Sequence, residues 1–254
     1  MRSPVEYVEC FHLALLRVME ARLNRANWVV KGGVNLRAWF GSRRYSEDLD
    51  VDAIGIAPHV LRERFDKVLL SRPLADLLHS QGLEIVRTSK PKQTDTTQRW
   101  KLELKAADVS VPLHTKIEFS RRGTRNEEYE LQPVRSDIVR PYGIPAATAN
   151  HYTAPSAIRQ KIEALATRSE TQARDIWDLD HLLRTTNADP RPLPAGLQAK
   201  LSLAIERACS VGYDLFKAQV APYLSEEDQA FYGTRDAWDR MCELVLERLE
   251  ELVS

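Results

Sequence analysis

Acidic residues recur at every second position in the stretch SEDLDVD, which begins at Ser46. Residues 45–54 alternate like a half-buried strand, so Ser46 and the aspartates that follow it are predicted to share one face. Asp48 and Asp50 would then form a close carboxylate pair, whose repulsion a bound cation removes. Oxygen ligands of this kind suit Mg²⁺, and two such ions can hold the attacking and leaving oxygens of a phosphoryl displacement.

A Gly-Gly pair lies upstream, between an apolar run, WVVK, that predicts a strand and a stretch, VNLRAWF, that predicts a short helix. Glycines there let the backbone approach a phosphate, and the helix N-terminus offers free N–H groups to an anion. Alone, Gly32-Gly33 is weak evidence, because such a pair is more often only a turn. The D-x-D pair alone is also weak evidence, because many strands end in solvated acids. Their combination on successive elements is much more specific, and it indicates a phosphate and metal site.

A third acid is predicted on a neighbouring strand with the sequence HTKIEFS. Glu118 shares a face with Lys116, while the intervening isoleucine points to the other face. Glu118 is therefore the best candidate to complete the metal site. The alternative is an exposed glutamate that simply pairs with Lys116.

The C-terminal half contains a second set of charged residues on two predicted helices, 156–168 and 171–184. An exposed lysine that faces a cleft is a natural triphosphate ligand, and Lys161 has that potential. Such a lysine contributes little to folding. On the second helix, Arg174 and Asp178 are spaced as an i,i+4 pair. The alternative is an amphipathic helical hairpin held by surface ion pairs.

The composition is that of a globular protein: 254 residues, 43% hydrophobic, with 36 Lys+Arg balanced by 36 Asp+Glu. Neutrality excludes a polycation that coats nucleic acid, but the charge is unevenly distributed. Residues 87–125 contain ten Lys/Arg against four Asp/Glu, and residues 225–254 contain three Arg against nine Asp/Glu. These are two solvated faces or, alternatively, a basic strip for phosphates and an acidic tail for a basic partner.

Other chemistries find little support in the sequence. Three widely spaced cysteines without C-x-x-C argue against a disulfide framework or a cysteine zinc site. Neither a G-x-S-x-G elbow nor a G-x-x-x-x-G-K-[ST] loop occurs. The chain shows no apolar signal core and no uncharged run of membrane-spanning length, so we expect a soluble, cytoplasmic protein without a membrane partner.

The order of elements predicts two parts. A helix over 5–23 is followed by strands and helices up to about residue 120, which predicts a mixed α/β lobe with a mixed sheet. Residues 141–155 contain three prolines and no charge, which indicates a linker or boundary. Almost everything beyond it reads as helix, so we expect an α/β domain over 1–145 and an α-helical domain over 146–254.

Three blocks resemble the nucleotidyltransferase-like toxins of the AbiEii and MenT type, from type IV toxin–antitoxin systems. They are KGGVNLR with RRYSEDLD, then KIEFS, then Lys161 with ARDIWDL. They occur in the family's order, from about residue 29 to about residue 184. The resemblance implies a DNA polymerase β-like nucleotidyltransferase lobe with a helical C-terminal lobe. It also implies use of NTP and Mg²⁺ for nucleotide transfer to tRNA 3′ ends, which blocks growth.

The family's site residues carry over by position. Ser46 and Asp48 fall on its S-x-D motif, with Asp50 as the metal-binding neighbour, while Lys161 falls on an essential lysine and Asp175 on the acid of the third block. The gap between the glycine pair and the S-x-D motif is longer than in most of the wider superfamily.

These matches lead to a set of expected roles. Asp48, Asp50 and Glu118 hold metal. The residues expected to contact the nucleotide are Gly32, Gly33, Ser46, Lys161 and Arg174. Asp175 is expected either to orient Lys161 and Arg174 or to activate the acceptor hydroxyl. The acceptor is expected to be tRNA, held by Lys90, Lys92, Arg121, Arg122 and Arg125. A cognate antitoxin encoded alongside is the expected protein partner.

Two alternatives remain open from the sequence. One is an enzyme that transfers a nucleotide to a protein hydroxyl, such as one on its antitoxin. The other is a nucleotide-binding module without turnover, although the complete S-x-D-x-D pattern argues against a site without activity.

Overall fold

The structure is a computed structural model of the chain, and it describes residues 2–121 and 127–253. The chain divides into two compact units. The first contains the residues up to Gly41 together with Tyr45–Tyr152, and the second contains Ser42–Arg44 together with the residues from Thr153 onward.

The first unit contains the strands and the N-terminal helices. Its strands are β1 (Trp28–Lys31), β2 (Leu49–Ala53), β3 (Leu83–Gln93), β4 (Thr97–Ala106), β5 (Leu113–Ser120), β6 (Tyr129–Pro133) and β7 (Thr148–Tyr152). Its helices are α1 (Pro4–Arg22), α2 (Gly32–Phe40), α3 (Pro58–Leu69), α4 (Arg72–Ser80) and α5 (Ser136–Val139), with 3₁₀ turns at Arg25–Asn27 and Arg140–Tyr142.

The strands form one mixed sheet in the order β3-β4-β5-β2-β1-β7-β6. At its centre β2 runs antiparallel to β1 and parallel to β5. Strands β3, β4 and β5 are joined as antiparallel neighbours, and β6 pairs antiparallel with β7. The ends of β1 and β2 that carry the glycine pair and the acids therefore lie next to each other.

The sheet has one apolar face and one polar face on β4 and β5, because residues alternate along each strand. The apolar face packs against helices, as seen where Phe65 of α3 makes edge-to-face contacts with Trp100 and Phe119. All three rings are fully buried. Helix α1 begins with a capping box in which Ser3 and Glu6 satisfy each other's backbone N–H groups.

The second unit is helical in the part of the chain that the structure describes. Its helices are α6 (Ala154–Thr167), α7 (Ala173–Thr185), α8 (Ala195–Gln198), α9 (Leu201–Cys209), α10 (Tyr213–Gln219), α11 (Glu226–Tyr232) and α12 (Arg235–Glu251), with a 3₁₀ turn at Ala221–Tyr223. Its core contains the ring contacts of Phe216 with Trp177 and Trp238. Among the described residues, no helix is long and apolar enough to cross a membrane.

The predicted mixed α/β fold followed by helices is confirmed. Two strands were missed. Strand β6 is short and mostly exposed, so it shows little of the apolar alternation that identifies a strand. Strand β7 lies within the stretch interpreted as a linker, and it is an inner strand that pairs with both β1 and β6. Prolines flank β7 without interrupting it, which is why composition alone was misleading there.

Candidate active site

The acids of the S-x-D-x-D motif stand at the start of β2. The prediction that Ser46 and Asp48 belong to the strand is wrong, because β2 begins at Leu49. The Ser46 hydroxyl donates a 2.8 Å hydrogen bond to the carbonyl oxygen of Asp48, a local bond that competes with strand pairing. Asp50 lies inside the strand, as predicted.

The structure brings Asp50 and Glu118 together, as the sequence predicted. Strands β2 and β5 pair in parallel with these two residues directly in register. On the other side of β2, Lys31 of β1 is the register partner of Asp50. One row of side chains across three strands thus places two carboxylates beside a lysine.

Most acids of this cluster are paired with a cation. Lys116 lies 2.7 Å from the Asp48 carboxylate, which also accepts the Lys116 backbone N–H at 3.1 Å. Arg99 lies 2.6 Å from Glu118. The alternative pairing of Glu118 with Lys116 is therefore wrong. On the same strand, Asp52 is held by Lys31 at 2.5 Å and by a tyrosine hydroxyl at 2.7 Å.

Asp50 differs from its neighbours. Within the described residues its half-buried carboxylate has neither a hydrogen bond nor an ion pair. Burial raises the pKa of Asp50, and the charges of Asp48 and Glu118 raise it further against the opposing effect of two nearby lysines. This carboxylate would gain most from an added cation.

These carboxylates fit a hard cation in donor chemistry, although they do not form a ready-made metal centre. Within residues 2–121 and 127–253 no three His, Cys, Asp or Glu side chains are grouped closely enough to hold a metal ion. Asp48 and Asp50 nevertheless offer carboxylate oxygens from alternate positions of one short segment, and Asp50 has no partner within the described residues; carboxylate oxygens are the donors that Mg²⁺ prefers. The Mg²⁺ site stays a prediction.

The glycine pair lies against the acids. Gly32 has a left-handed φ of +69°, and a Cβ atom built there would lie 3.1 Å from Asp50 Oδ2. Any other residue would therefore be strained and would crowd that carboxylate. Helix α2 begins at Gly32 without a side-chain cap, so the N–H groups of its first turn are available to an anion. Gly33 shares that turn but has no left-handed φ.

A buried hydrogen-bond chain supports the segment before β2, and sequence reasoning missed it. The Thr115 hydroxyl donates to the carbonyl oxygen of Glu47 at 2.8 Å. His12 of α1 lies 2.8 Å from the same hydroxyl through Nε2. Burial lowers the pKa of His12 to about 4, so the ring is neutral near pH 7, and the network assigns its proton to Nε2. A lone histidine on an apolar helix face gave no sign of this partner.

The second unit contains a separate cluster of charges. Lys161 lies 2.5 Å from Asp178 and 3.2 Å from Asp175. Arg44 pairs with Asp178 at 3.0 Å, and Arg168 pairs with Asp175 at 2.8 Å. Both aspartates are completely buried. Burial alone would raise the pKa of Asp178, but Arg44 and Lys161 outweigh it and hold that pKa below its usual range.

Two expectations about this cluster are wrong. Lys161 is buried rather than exposed, so the ion pairs here are internal and not on the surface. The i,i+4 pair is absent, because Asp178 binds Arg44 and Lys161, and within the described residues Arg174 has no ion pair. Arg44 lies 134 positions before Asp178, which local spacing could not reveal.

The predicted RNA-binding residues do not share one surface. Lys90 pairs with Asp66 of α3 at 2.6 Å, on the side of the sheet that the helices cover. Arg121 donates to the side chain of Gln98 at 2.7 Å and to a loop carbonyl. Lys92 is in register with Arg99 on the face that carries the acids. The other two predicted residues, Arg122 and Arg125, lie outside the described residues.

Comparisons with known proteins agree with this architecture. The sequence profile of the family described as nucleotidyl transferase AbiEii toxin, type IV toxin–antitoxin system, matches residues 14–248. None of the curated proteins matches the chain.

Solved structures show the same fold. JHP933 from Helicobacter pylori is 18% identical with a TM-score of 0.60, covering 99% of this chain and 95% of that one. MenT4, a nucleotidyltransferase toxin from Mycobacterium tuberculosis H37Rv, is 17% identical with a TM-score of 0.57, covering 99% of this chain and 86% of that one.

Proposed function

The chain belongs to the AbiEii family of nucleotidyltransferase toxins from type IV toxin–antitoxin systems, and we propose that it transfers nucleotides from NTP to an RNA acceptor. The acceptor in this proposal is the 3′ end of tRNA, and the reaction depends on Mg²⁺. Addition there would block aminoacylation, and with it translation and growth. Membership of the family implies a cognate antitoxin as partner.

The observation that supports this proposal most is the state of Asp50. Its half-buried carboxylate has no partner within the described residues, although Asp48 and Glu118 next to it are both paired. A buried charge without a partner is costly unless a ligand completes it. The N-terminus of α2 lies against the same carboxylate through Gly32, which places backbone N–H groups suited to an anion beside a carboxylate that a cation would neutralise.

Each of these residues has a proposed task in the reaction. Asp48 and Asp50 would hold Mg²⁺, which neutralises charge on the reacting phosphate and activates the attacking oxygen. Glu118 would complete this set or orient the acceptor hydroxyl. Gly32 and Gly33 would present backbone N–H groups to the β- and γ-phosphates. Catalysis of this type consists mainly of positioning and charge stabilisation.

Ser46 and the charged cluster of the second unit complete the proposal. The Ser46 hydroxyl donates its hydrogen bond to the carbonyl oxygen of Asp48 in its own loop. Its proposed contribution to phosphate binding is therefore indirect, because it holds the backbone of that loop in place. Lys161 is proposed to neutralise triphosphate charge, with Asp175 holding its ammonium group and Arg174 as a further nucleotide contact. The 3.2 Å contact between Lys161 and Asp175 is consistent with that orienting role.

The test is incubation of the purified chain with α-labelled NTP, MgCl₂ and total tRNA, followed by a denaturing gel. We expect label on tRNA that disappears with EDTA. Label on the protein or on its antitoxin in place of tRNA would favour transfer to a protein hydroxyl. NTP binding without any labelled product would favour a binding module, and either result would reject the RNA acceptor.

A further inference from the structure

The polar face of the sheet carries exposed cations next to the acids. On β4 the buried residues Trp100, Leu102 and Leu104 alternate with polar residues that point to the opposite face. Lys101 lies on this polar face, one alternate position along β4 from Arg99. Arg87 and Lys92 of β3 are in register with β4 residues of the same face.

Three of these cations have no internal partner. Within the described residues, neither a hydrogen bond nor an ion pair reaches the side chains of Arg87, Lys92 or Lys101. On the helix-covered side the lysines are paired: Lys90 with Asp66 at 2.6 Å and Lys67 with Glu63 at 2.6 Å. Glu103 of β4 is the register partner of Arg87, although no ion pair joins them within the described residues. The polar face therefore carries positive charge that ion pairs do not neutralise.

Like charges face each other at two places on this face, and the second of them is between Lys92 and Arg99. In the first, Lys101 of β4 is the direct cross-strand partner of Lys116 of β5. Like charges placed opposite each other destabilise a sheet, and in this first pair only Lys116 has a compensating carboxylate, that of Asp48. An anion bound over Lys101 would remove the repulsion.

The cations lie at a useful distance from the acids. Strands are spaced about 4.8 Å apart and rise about 3.3 Å per residue, so Lys101 is about 12 Å and Lys92 about 14 Å from Asp50 along the sheet. Stacked nucleotides rise about 3.4 Å each. Lys92 and Lys101 therefore lie within the length of about four stacked nucleotides from the acids, and Arg87, about 20 Å away by the same spacing, lies within about six.

From these observations we infer that Arg87, Lys92 and Lys101 bind the phosphodiester backbone of the last few nucleotides of the acceptor strand. This inference rests on the proposed function. It keeps Lys92 from the predicted acceptor contacts, and it names Arg87 and Lys101 of the same sheet face in place of the other predicted residues. A row of separate cations, of which Arg87 and Lys101 are exposed and Lys92 is half-buried, suits a chain of phosphates that leads to the reacting acids. Contacts of this kind are independent of base sequence and dependent on salt.

The test compares two triple variants by fluorescence anisotropy. The face variant is Arg87→Gln/Lys92→Gln/Lys101→Gln. The control variant, Arg17→Gln/Lys67→Gln/Arg72→Gln, removes the same charge from residues that have carboxylate partners. The probe is a fluorescein-labelled RNA hairpin with a single-stranded 3′ overhang of four nucleotides, titrated at several KCl concentrations without NTP or Mg²⁺.

We expect the face variant to bind the probe at least tenfold more weakly at 100 mM KCl, with the control variant within threefold of wild type. The slope of log affinity against log salt should fall by about 2 for three lost contacts to a single strand. Equal losses in both variants, or no loss in the face variant, would overturn the inference. So would unchanged RNA binding together with lost binding of polyglutamate, which would indicate an acidic protein partner.

This experiment is separable from the test of the proposed function. Binding is measured without substrate or metal, so an inactive enzyme can still support the sheet-face contact. Labelled transfer that persists with unchanged acceptor KM in the face variant would overturn the contact while leaving the transferase activity intact.

Discussion

The two units each contain a cluster of acids and bases, and the clusters differ in how completely their charges are matched. In the first unit Asp50 has no partner within the described residues, and burial raises its pKa. In the second unit Asp178 is completely buried between Arg44 and Lys161, which hold its pKa low. An unmatched acid indicates a place for a ligand, whereas removing one member of a fully matched buried network destabilises the fold.

The same difference decides whether the loss of a motif residue is expected to affect catalysis or folding. The Asp48 carboxylate is only partly buried, and Asp50 has no partner within the described residues, so we expect their loss to affect catalysis more than stability. Lys161 is both a family motif residue and part of a buried ion-pair network. A loss of activity on changing Lys161 therefore indicates a catalytic role only if folding is measured in the same variant.

The largest expected effect is on transfer by Asp48→Ala. Loss of a metal-holding carboxylate removes several kcal/mol of transition-state stabilisation, which corresponds to a rate loss on the order of 10³-fold or more. The Asp48–Lys116 pair is partly exposed, so the melting temperature should change little. Steady-state transfer assays and thermal denaturation check both expectations. Near wild-type turnover at saturating Mg²⁺ and NTP would remove Asp48 from the metal site.

The second-largest effect is on stability. An exposed lysine would contribute little to folding, but Lys161 is buried, so we expect a large loss of stability when it is replaced. Lys161→Ala leaves two buried aspartates short of a cation, and breaking such a buried pair costs about 3–5 kcal/mol. Denaturant unfolding measures the loss. Lys200→Ala is the matched control, because Lys200 pairs with Glu163 on the surface of the same unit. Equal stabilities of the two variants would mean that the buried network contributes little.

A smaller effect is expected at Thr115. Thr115→Val removes the hydroxyl that links His12 to the Glu47 carbonyl, and the loop that carries Asp48 loses its support. Misplacement of a catalytic group costs up to about 100-fold, so we expect kcat to fall about 10- to 100-fold while KM for NTP is little changed. Thr115→Ser keeps the hydroxyl and should restore activity. If the serine variant is as impaired as the valine variant, the hydroxyl has no positioning role.

The smallest effect is a pH dependence in the second unit. The folded-state pKa of Asp178 lies below its ordinary value of 3.8, so its stabilising contribution is present above that value and is lost as pH falls through the folded pKa. Asp178→Asn should therefore lower the melting temperature at pH 7, and this deficit should shrink progressively as pH falls below about 3.8.

Asp214→Asn provides the control for this pH dependence. Asp214 pairs with Lys217 on the surface, and such pairs contribute little. Its variant should melt close to wild type at both pH values. A constant deficit of Asp178→Asn across the pH range would contradict the expected linkage.

The sequence predicted what depends on local pattern. Alternation placed Asp50 in a strand and Glu118 on the matching face of another strand. In the structure these two residues are register partners. Strand β7 was hidden because prolines and small residues flank it. The partners of His12 and Asp178 lie 103 and 134 positions away in the chain, and contacts at such separations leave no periodic trace in one sequence.

The partners of the motif acids were the least predictable part of the site. Lys116 was expected beside Glu118, and strand alternation does place it there, but its ammonium group pairs with Asp48. The register of β2 and β5 explains that outcome, because Asp48 and Lys116 directly precede the register partners Leu49 and Ile117. Register between strands far apart in the chain cannot be read from the alternation within either strand.

The most direct test of the contrast between the two clusters is single-turnover transfer of α-labelled NTP to tRNA by Asp50→Asn and Asp178→Asn, at a temperature where both are folded. The account predicts that Asp50→Asn loses on the order of 10³-fold in rate while melting at or above the wild-type temperature, because an unmatched buried charge is removed. Asp178→Asn should melt lower and yet transfer within about tenfold of wild type, which corresponds to about 1.4 kcal/mol. An Asp50→Asn enzyme with wild-type turnover would contradict the assignment of the transfer site to the acids of the first unit.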